Sequence, residues 1–181
     1  MKFSKDIKRY TTYSGKSAVV MLLTQQGLWA LFQYRFYNWI YNSKSPKIIK
    51  LPLLFVGVCH QKGVEMLTGI TLPYSAQIGE GLYIGHHSGI IMNAGAIIGK
   101  NCNISQGVTI GVSGKGKYRG APVIGDEVYI GANATLAGKI FIGNKVVVGA
   151  NSLVIRDVSD GVTVLGVPAV EISKNDSSAY I

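Results

Sequence analysis

The sequence predicts a mostly β protein, built of short strands wound into stacked coils and preceded by an α-helical N-terminal segment. Three observations predict it. An aliphatic residue followed by a small one recurs every six residues from Ile78 onward. Glycine is abundant, 23 of 181 residues, but does not recur every third position, which excludes a collagen-like chain. Residues 1–68 lack the six-residue period and carry long apolar runs instead.

The first 68 residues read as helical. The run 18–41 is rich in Leu, Val, Trp, Phe and Tyr and contains no Pro. It is long enough to span a bilayer, but Gln25, Gln26, Gln33, Arg35 and Asn38 interrupt it. A lipid-exposed spanning helix rarely carries an Arg and several Gln, so a buried or interfacial helix is expected. A polar connection follows at 43–50, then a second apolar segment, 48–67, with Pro52 inside it. Its uninterrupted apolar core, 51–56, is too short to span.

Charge is concentrated in the same region. Residues 1–50 hold nine Lys or Arg and one acid, Asp6, giving +8 of the total +9. Such a segment suits an anionic surface: nucleic acid, lipid or a phosphorylated substrate. No nucleic-acid recognition motif accompanies it, and nucleic acid is not an expected partner. Peripheral contact with an anionic membrane is. The basic start lacks the apolar core and cleavage site of a signal peptide. Cys59 and Cys102 cannot frame a disulfide scaffold or a four-thiolate zinc site. A cytoplasmic, reducing location is expected.

The repeat runs Ile78, Ile84, Ile98, Ile104, Ile110, then Ile124, Ile130, Leu136, Ile142, Val148 and Val154, the last six on an unbroken grid. Two residues earlier stands another small or apolar residue, such as Ala76, Leu82, Val108, Val128 and Val146. A helix needs apolar positions every three or four residues, and a hairpin sheet has no turn every six. Short strands with small residues at tight corners fit, each coil burying aliphatic side chains against its neighbours. Two gaps of fourteen break the grid. One places a bulge near 86–93. The other contains Ser113-Gly114-Lys115-Gly116-Lys117-Tyr118-Arg119-Gly120, too polar for a dry core, so 112–122 projects as a loop.

With the grid, Gly85-His86-His87-Ser88-Gly89, Gln106-Gly107-Val108-Thr109-Ile110-Gly111, the glycine-rich loop and Gly166-Val167-Pro168-Ala169, the chain resembles the hexapeptide-repeat acyltransferases. It most resembles the serine acetyltransferase branch, including its relatives in polysaccharide biosynthesis, over about residues 69–169. The resemblance implies a left-handed parallel β-helix, against the usual handedness of parallel crossovers. It also implies a homotrimer with acyl-CoA in a groove between subunits. The division expected is 1–68 helical, 69–170 β-helix with the projecting loop, and 171–181 as a C-terminal tail.

Acyl transfer from a thioester to a hydroxyl needs a base for the hydroxyl proton, and imidazole titrates in the right range. The family's catalytic His falls on His86. His87 aligns with a position that need not be His, and His60 lies in the helical part. Acetyl-CoA is the donor the resemblance implies. Ala132 and Ala150, small residues after corner glycines, would admit the pantetheine arm, and Gly111 and Gly114 would flank the thioester. Lys139 and Arg156 are candidates for the nucleotide phosphates, and Val167 and Pro168 for its far end. No metal is expected: a three-His zinc site is not available from adjacent His86 and His87 plus a distant His60.

Three positions depart from the serine acetyltransferase pattern. An Asp fifteen residues before the catalytic His is Thr71, a Glu eight residues after it is Ala94, and a His before the loop Pro is Ala121. Loss of these polar groups argues for a different acceptor. The expectation is therefore a sugar hydroxyl in polysaccharide or glycan assembly, with serine O-acetyl transfer in cysteine biosynthesis as the alternative.

Overall fold

A computed structural model of the chain describes residues 2–181. Among these, four helices come first: α1 (Lys2–Ser14), α2 (Ala18–Thr24), α3 (Gln26–Asn42) and α4 (Lys47–Thr68). The apolar run expected as one helix is therefore two. Gln25, at φ −104° and ψ 105°, breaks it between α2 and α3. The connection into α4 is shorter than the composition suggested, and Pro52 sits within the helix, where it removes the bond an N–H would give to Ile48 O and its ring crowds that carbonyl. α4 stops at Gly69, whose φ of +66° suits glycine. A Cβ there would also lie 2.9 Å from Ser88 Cα.

The strands then wind around a triangular prism. One face stacks Ile70–Thr71, Ile90–Met92, Thr109–Gly111, Thr135–Ala137 and Leu153–Val154. A second stacks Gln77–Ile78, Ile97–Ile98, Val123–Ile124 and Phe141–Ile142. The third stacks Tyr83–Ile84, Asn103–Ile104, Tyr129–Ile130, Val147–Val148 and Thr163–Gly166, all parallel. Ala169–Ser173 folds back antiparallel on the last of these and closes the stack.

The register converts the six-residue grid into columns. Ile78, Ile98, Ile124 and Ile142 lie one above another, as do Ile84, Ile104, Ile130 and Val148. All eleven grid residues are buried, in one continuous core. Burial of each such side chain contributes about 1.5–3 kcal/mol against leaving it in water. The bulge is shorter than expected: Ile90–Met92 is a strand of the first face, and Ile90 and Met92 are core. The projecting loop is exposed, pinched at its base by Ser113 and Gly120, with a 3₁₀ turn at Gly116–Tyr118.

The helices close the open edge of the first coil. Tyr34 Oη donates to Ala76 O at 2.9 Å and accepts from Ile78 N at 3.0 Å. Tyr10 Oη donates to Ile84 O and accepts from Ile84 N, both at 2.9 Å. The two phenols thus stand where a further strand would pair, so that edge is not left as a template.

Candidate active site

His86 follows the strand Tyr83–Ile84 on a bulge thrown outward by two successive left-handed residues, Ser88 (φ 87°) and Gly89 (φ 70°). The bulge is held on both sides: Ser88 N donates to Thr68 O at 2.9 Å, and Gly107 N donates to Ser88 O at 3.0 Å. The imidazole of His86 is exposed, outside the prism, and no side chain or carbonyl among the described residues hydrogen-bonds it. His87 is also exposed. His60 packs edge-on against Tyr37, ring centroids 5.8 Å apart, which places it in helix packing.

His86 lies in a groove of about 470 Å³ with Ser105, Gln106, Gly131, Ala132, Gly149 and Ala150. Those residues follow Ile84, Ile104, Ile130 and Val148 of one column, so the groove runs down a single corner of the prism, floored by small residues. A Cβ on Gly131 would come within 2.7 Å of Ala150 N, so the floor cannot be filled there without moving backbone. Tyr129, Leu165, Ile172 and Tyr180 form the walls. The C-terminal tail supplies Tyr180, which stacks on Tyr129 at 4.6 Å. Asn103 Nδ2 and Tyr13 Oη donate to the Tyr180 carbonyl at 2.6 and 2.8 Å and hold the tail in place.

The candidate cofactor residues divide between corners. Ala132 and Ala150 join His86. Gly114 and Lys139 line a second groove, about 610 Å³, with Lys117, Tyr118 and Ile155 beside the projecting loop. Gly111 ends a strand of the first face, paired with Ala137. Arg156 is exposed beyond the strand Leu153–Val154, and Val167 and Pro168 are exposed in the turn before the closing strand, joined by a cis peptide. Within one chain these last four line neither groove.

Sequence reasoning missed Ser105 and Gln106, although the repeat carried the signal: they stand one coil beyond Gly85 and His86. It also missed Glu65. This carboxylate accepts hydrogen bonds from Lys62 Nζ at 2.6 Å and Gln61 Nε2 at 2.7 Å, with the Thr71 side chain nearby. Burial opposes its ionisation, but these donors hold the carboxyl below its ordinary value. A carboxylate thus stands beside the position where the family pattern has its Asp.

The family described as "Hexapeptide repeat of succinyl-transferase" matches residues 76–111 and 123–156. A serine acetyltransferase of Staphylococcus aureus (strain Mu50) is 34% identical over 164 residues, spanning 90% of this chain and 72% of that protein. The chain belongs to the hexapeptide-repeat acyltransferase family. A serine acetyltransferase of Synechococcus elongatus is 35% identical over 155 residues, 86% of this chain but only 60% of that protein. The chain therefore spans about three fifths of the length of that relative. Among solved structures, a Neisseria gonorrhoeae serine acetyltransferase in complex with serine superposes with TM-score 0.82 at 30% identity, covering 95% of this chain and 68% of that one. A serine acetyltransferase in complex with CoA superposes with TM-score 0.81 at 25% identity, covering 94% and 68%.

These relatives correct the expectation of a sugar acceptor in polysaccharide assembly. The similarity to serine acetyltransferases runs through the helices as well as the coils. Three missing side chains at aligned positions do not empty the groove of polar groups: Ser105, Gln106 and Thr163 line it with His86.

Proposed function

We propose that the chain is an acetyl-CoA-dependent serine O-acetyltransferase of cysteine biosynthesis, with His86 as general base. The observation that carries the reading is the His86 groove itself. An unpartnered imidazole stands at the end of a channel floored by Ala132 and Ala150, in a chain related along most of its length to serine acetyltransferases.

In this reading the neutral imidazole takes the proton of the serine hydroxyl as its oxygen attacks the thioester carbonyl. The tetrahedral oxyanion collapses, the carbon–sulfur bond breaks, and the thiolate of CoA leaves and is protonated by the imidazolium. O-acetylserine and free CoA result. No metal takes part.

The reading extends to a left-handed coil and a homotrimer. Ala132 and Gly138 belong to one coil but to different corners. Threefold packing would set the Gly114–Lys139 groove of one copy against the His86 groove of the next. Gly111 would then flank the thioester, with Lys139 and Arg156 toward the phosphates and Val167 and Pro168 at the nucleotide end. The domain division proposed is 1–68, 69–170 and 171–181, in a cytoplasmic enzyme.

The test is thiol release from acetyl-CoA with L-serine as acceptor, and light scattering for the assembly. Serine-dependent release that His86→Ala lowers by about 10²–10⁴-fold is expected. Absence of serine-dependent release in the wild-type protein overturns the reading.

A further inference from the structure

The helical segment leaves two apolar stripes uncovered. On α3, Trp29, Phe32, Phe36 and Trp39 recur at the three-and-four spacing of one helix face, and all are exposed. On α4, Ile48, Leu51, Phe55 and Val58 repeat that spacing, and Ile48 is 83% exposed. α4 meets α3 through Leu54, Tyr37 and Ile40, and Gly57 brings it against the Tyr37 ring. The rest of its first three turns faces outward. A helix apolar around most of its circumference is stable only against other apolar matter.

Charge decides what that matter is. Lys16 precedes α2, Lys44 stands in the connection before α4 and Lys47 opens α4; all three are exposed. Of the acids in residues 2–68, Asp6 is buried against Arg35 and Glu65 is paired with Lys62. A second copy docked on this face would set lysines against lysines with no free carboxylate between them. An anionic bilayer offers both an apolar interior and negative headgroups. Exposed tryptophans and lysines beside an apolar face are the residues that such an interface holds. No helix of the described residues is long and apolar enough to cross a membrane.

We infer that α3 and α4 form a docking surface for an anionic lipid bilayer, on which the protein lies through its helical end while the coils stand clear. The inference goes beyond the acetyl-transfer reading and does not depend on it.

The experiment is co-sedimentation of the whole protein with vesicles of phosphatidylcholine, with and without phosphatidylglycerol, at low and high salt. Two variants accompany it: Lys16→Glu/Lys44→Glu/Lys47→Glu, and Ile48→Asn/Leu51→Asn/Phe55→Asn. Every substituted residue is exposed, and circular dichroism verifies folding. Binding to the anionic vesicles that weakens at high salt is expected. The charge variant should lose at least about a hundredfold in partition. The apolar variant should lose about tenfold for each side chain removed. Three outcomes overturn the inference: no sedimentation of the wild-type protein, equal binding to neutral vesicles, or an apolar variant that binds as before but no longer self-associates.

Discussion

Arg35 of α3 grips Asp6 of α1 with two hydrogen bonds, Nε to Oδ2 at 2.8 Å and Nη2 to Oδ1 at 3.0 Å, with both side chains buried. The pair is spliced into the first coil. Asp6 Oδ1 accepts from Gly81 N and Leu82 N at 2.8 and 3.0 Å, and Arg35 donates to Ile78 O and Gly79 O at 2.7 and 2.6 Å. One ion pair thus satisfies four backbone groups that no earlier coil is present to meet.

Asp6→Asn keeps an acceptor for the coil amides but strands the guanidinium. A loss of about 3–5 kcal/mol is expected, because the surviving charge stays buried without its counter-ion. Urea unfolding measures it. The paired change Asp6→Leu/Arg35→Met should be harsher than Asp6→Asn alone, because it also leaves Gly81 N, Leu82 N, Ile78 O and Gly79 O without partners, and a double variant as stable as the single one would contradict this account.

The two thiols should behave differently. Cys102 lies in the prism, and burial pushes its pKa up to about 12. Cys59 is exposed on α4. Native protein treated with iodoacetamide at mildly alkaline pH should take one label, on Cys59, and a second only after denaturation. Mass spectrometry after proteolysis reads the sites; equal labelling of Cys102 in native protein refutes its burial.

Ala150 tests the groove without touching the base. It is exposed at a corner and lines the same channel as His86. Ala150→Trp should leave the melting temperature within about 2 °C, since no core contact changes. It should raise the KM for acetyl-CoA by at least about tenfold, because it removes binding shared by ground and transition states. An unaltered KM would remove this corner from the cofactor path.

Glu65 carries a pH dependence of definite sign. Its carboxyl is held below the ordinary value of 4.5 in the folded chain. Its contribution is therefore complete above that value and fades as pH falls through the folded pKa. Thermal unfolding from pH ~6 to ~3 should show a shallower decline for Glu65→Gln than for the wild-type protein. Parallel curves would show that Lys62, Gln61 and Thr71 do not favour the ionised form.

Much of the fold is legible because its period is stereochemical. A six-residue alternation of aliphatic and small residues assigns every grid position inward, and Ile78 through Val154 are buried as the pattern requires. Ile90 and Met92 escaped it, because the bulge before them shifts the phase of the count. Ser105 and Gln106 were within reach of the same grid. Tyr180 was not: nothing local in the tail says that it will return to stack on Tyr129. The acceptor was misjudged for a related reason. An aligned position reports what stands at one point of the chain, while the polar groups that share the groove with His86, Ser105, Gln106 and Thr163, come from different coils.

By itself the sequence determined the coil, the inward columns, the projecting loop and the exposed corner bearing His86, since each follows from local pattern and side-chain size. Only the tertiary structure decided that Tyr10, Tyr34, Asp6 and Arg35 would stand in for a missing strand. It alone decided too that the candidate cofactor residues would part between two corners and that the outer faces of α3 and α4 would stay uncovered. These outcomes depend on which distant surfaces meet, and a repeating local pattern carries no information about that.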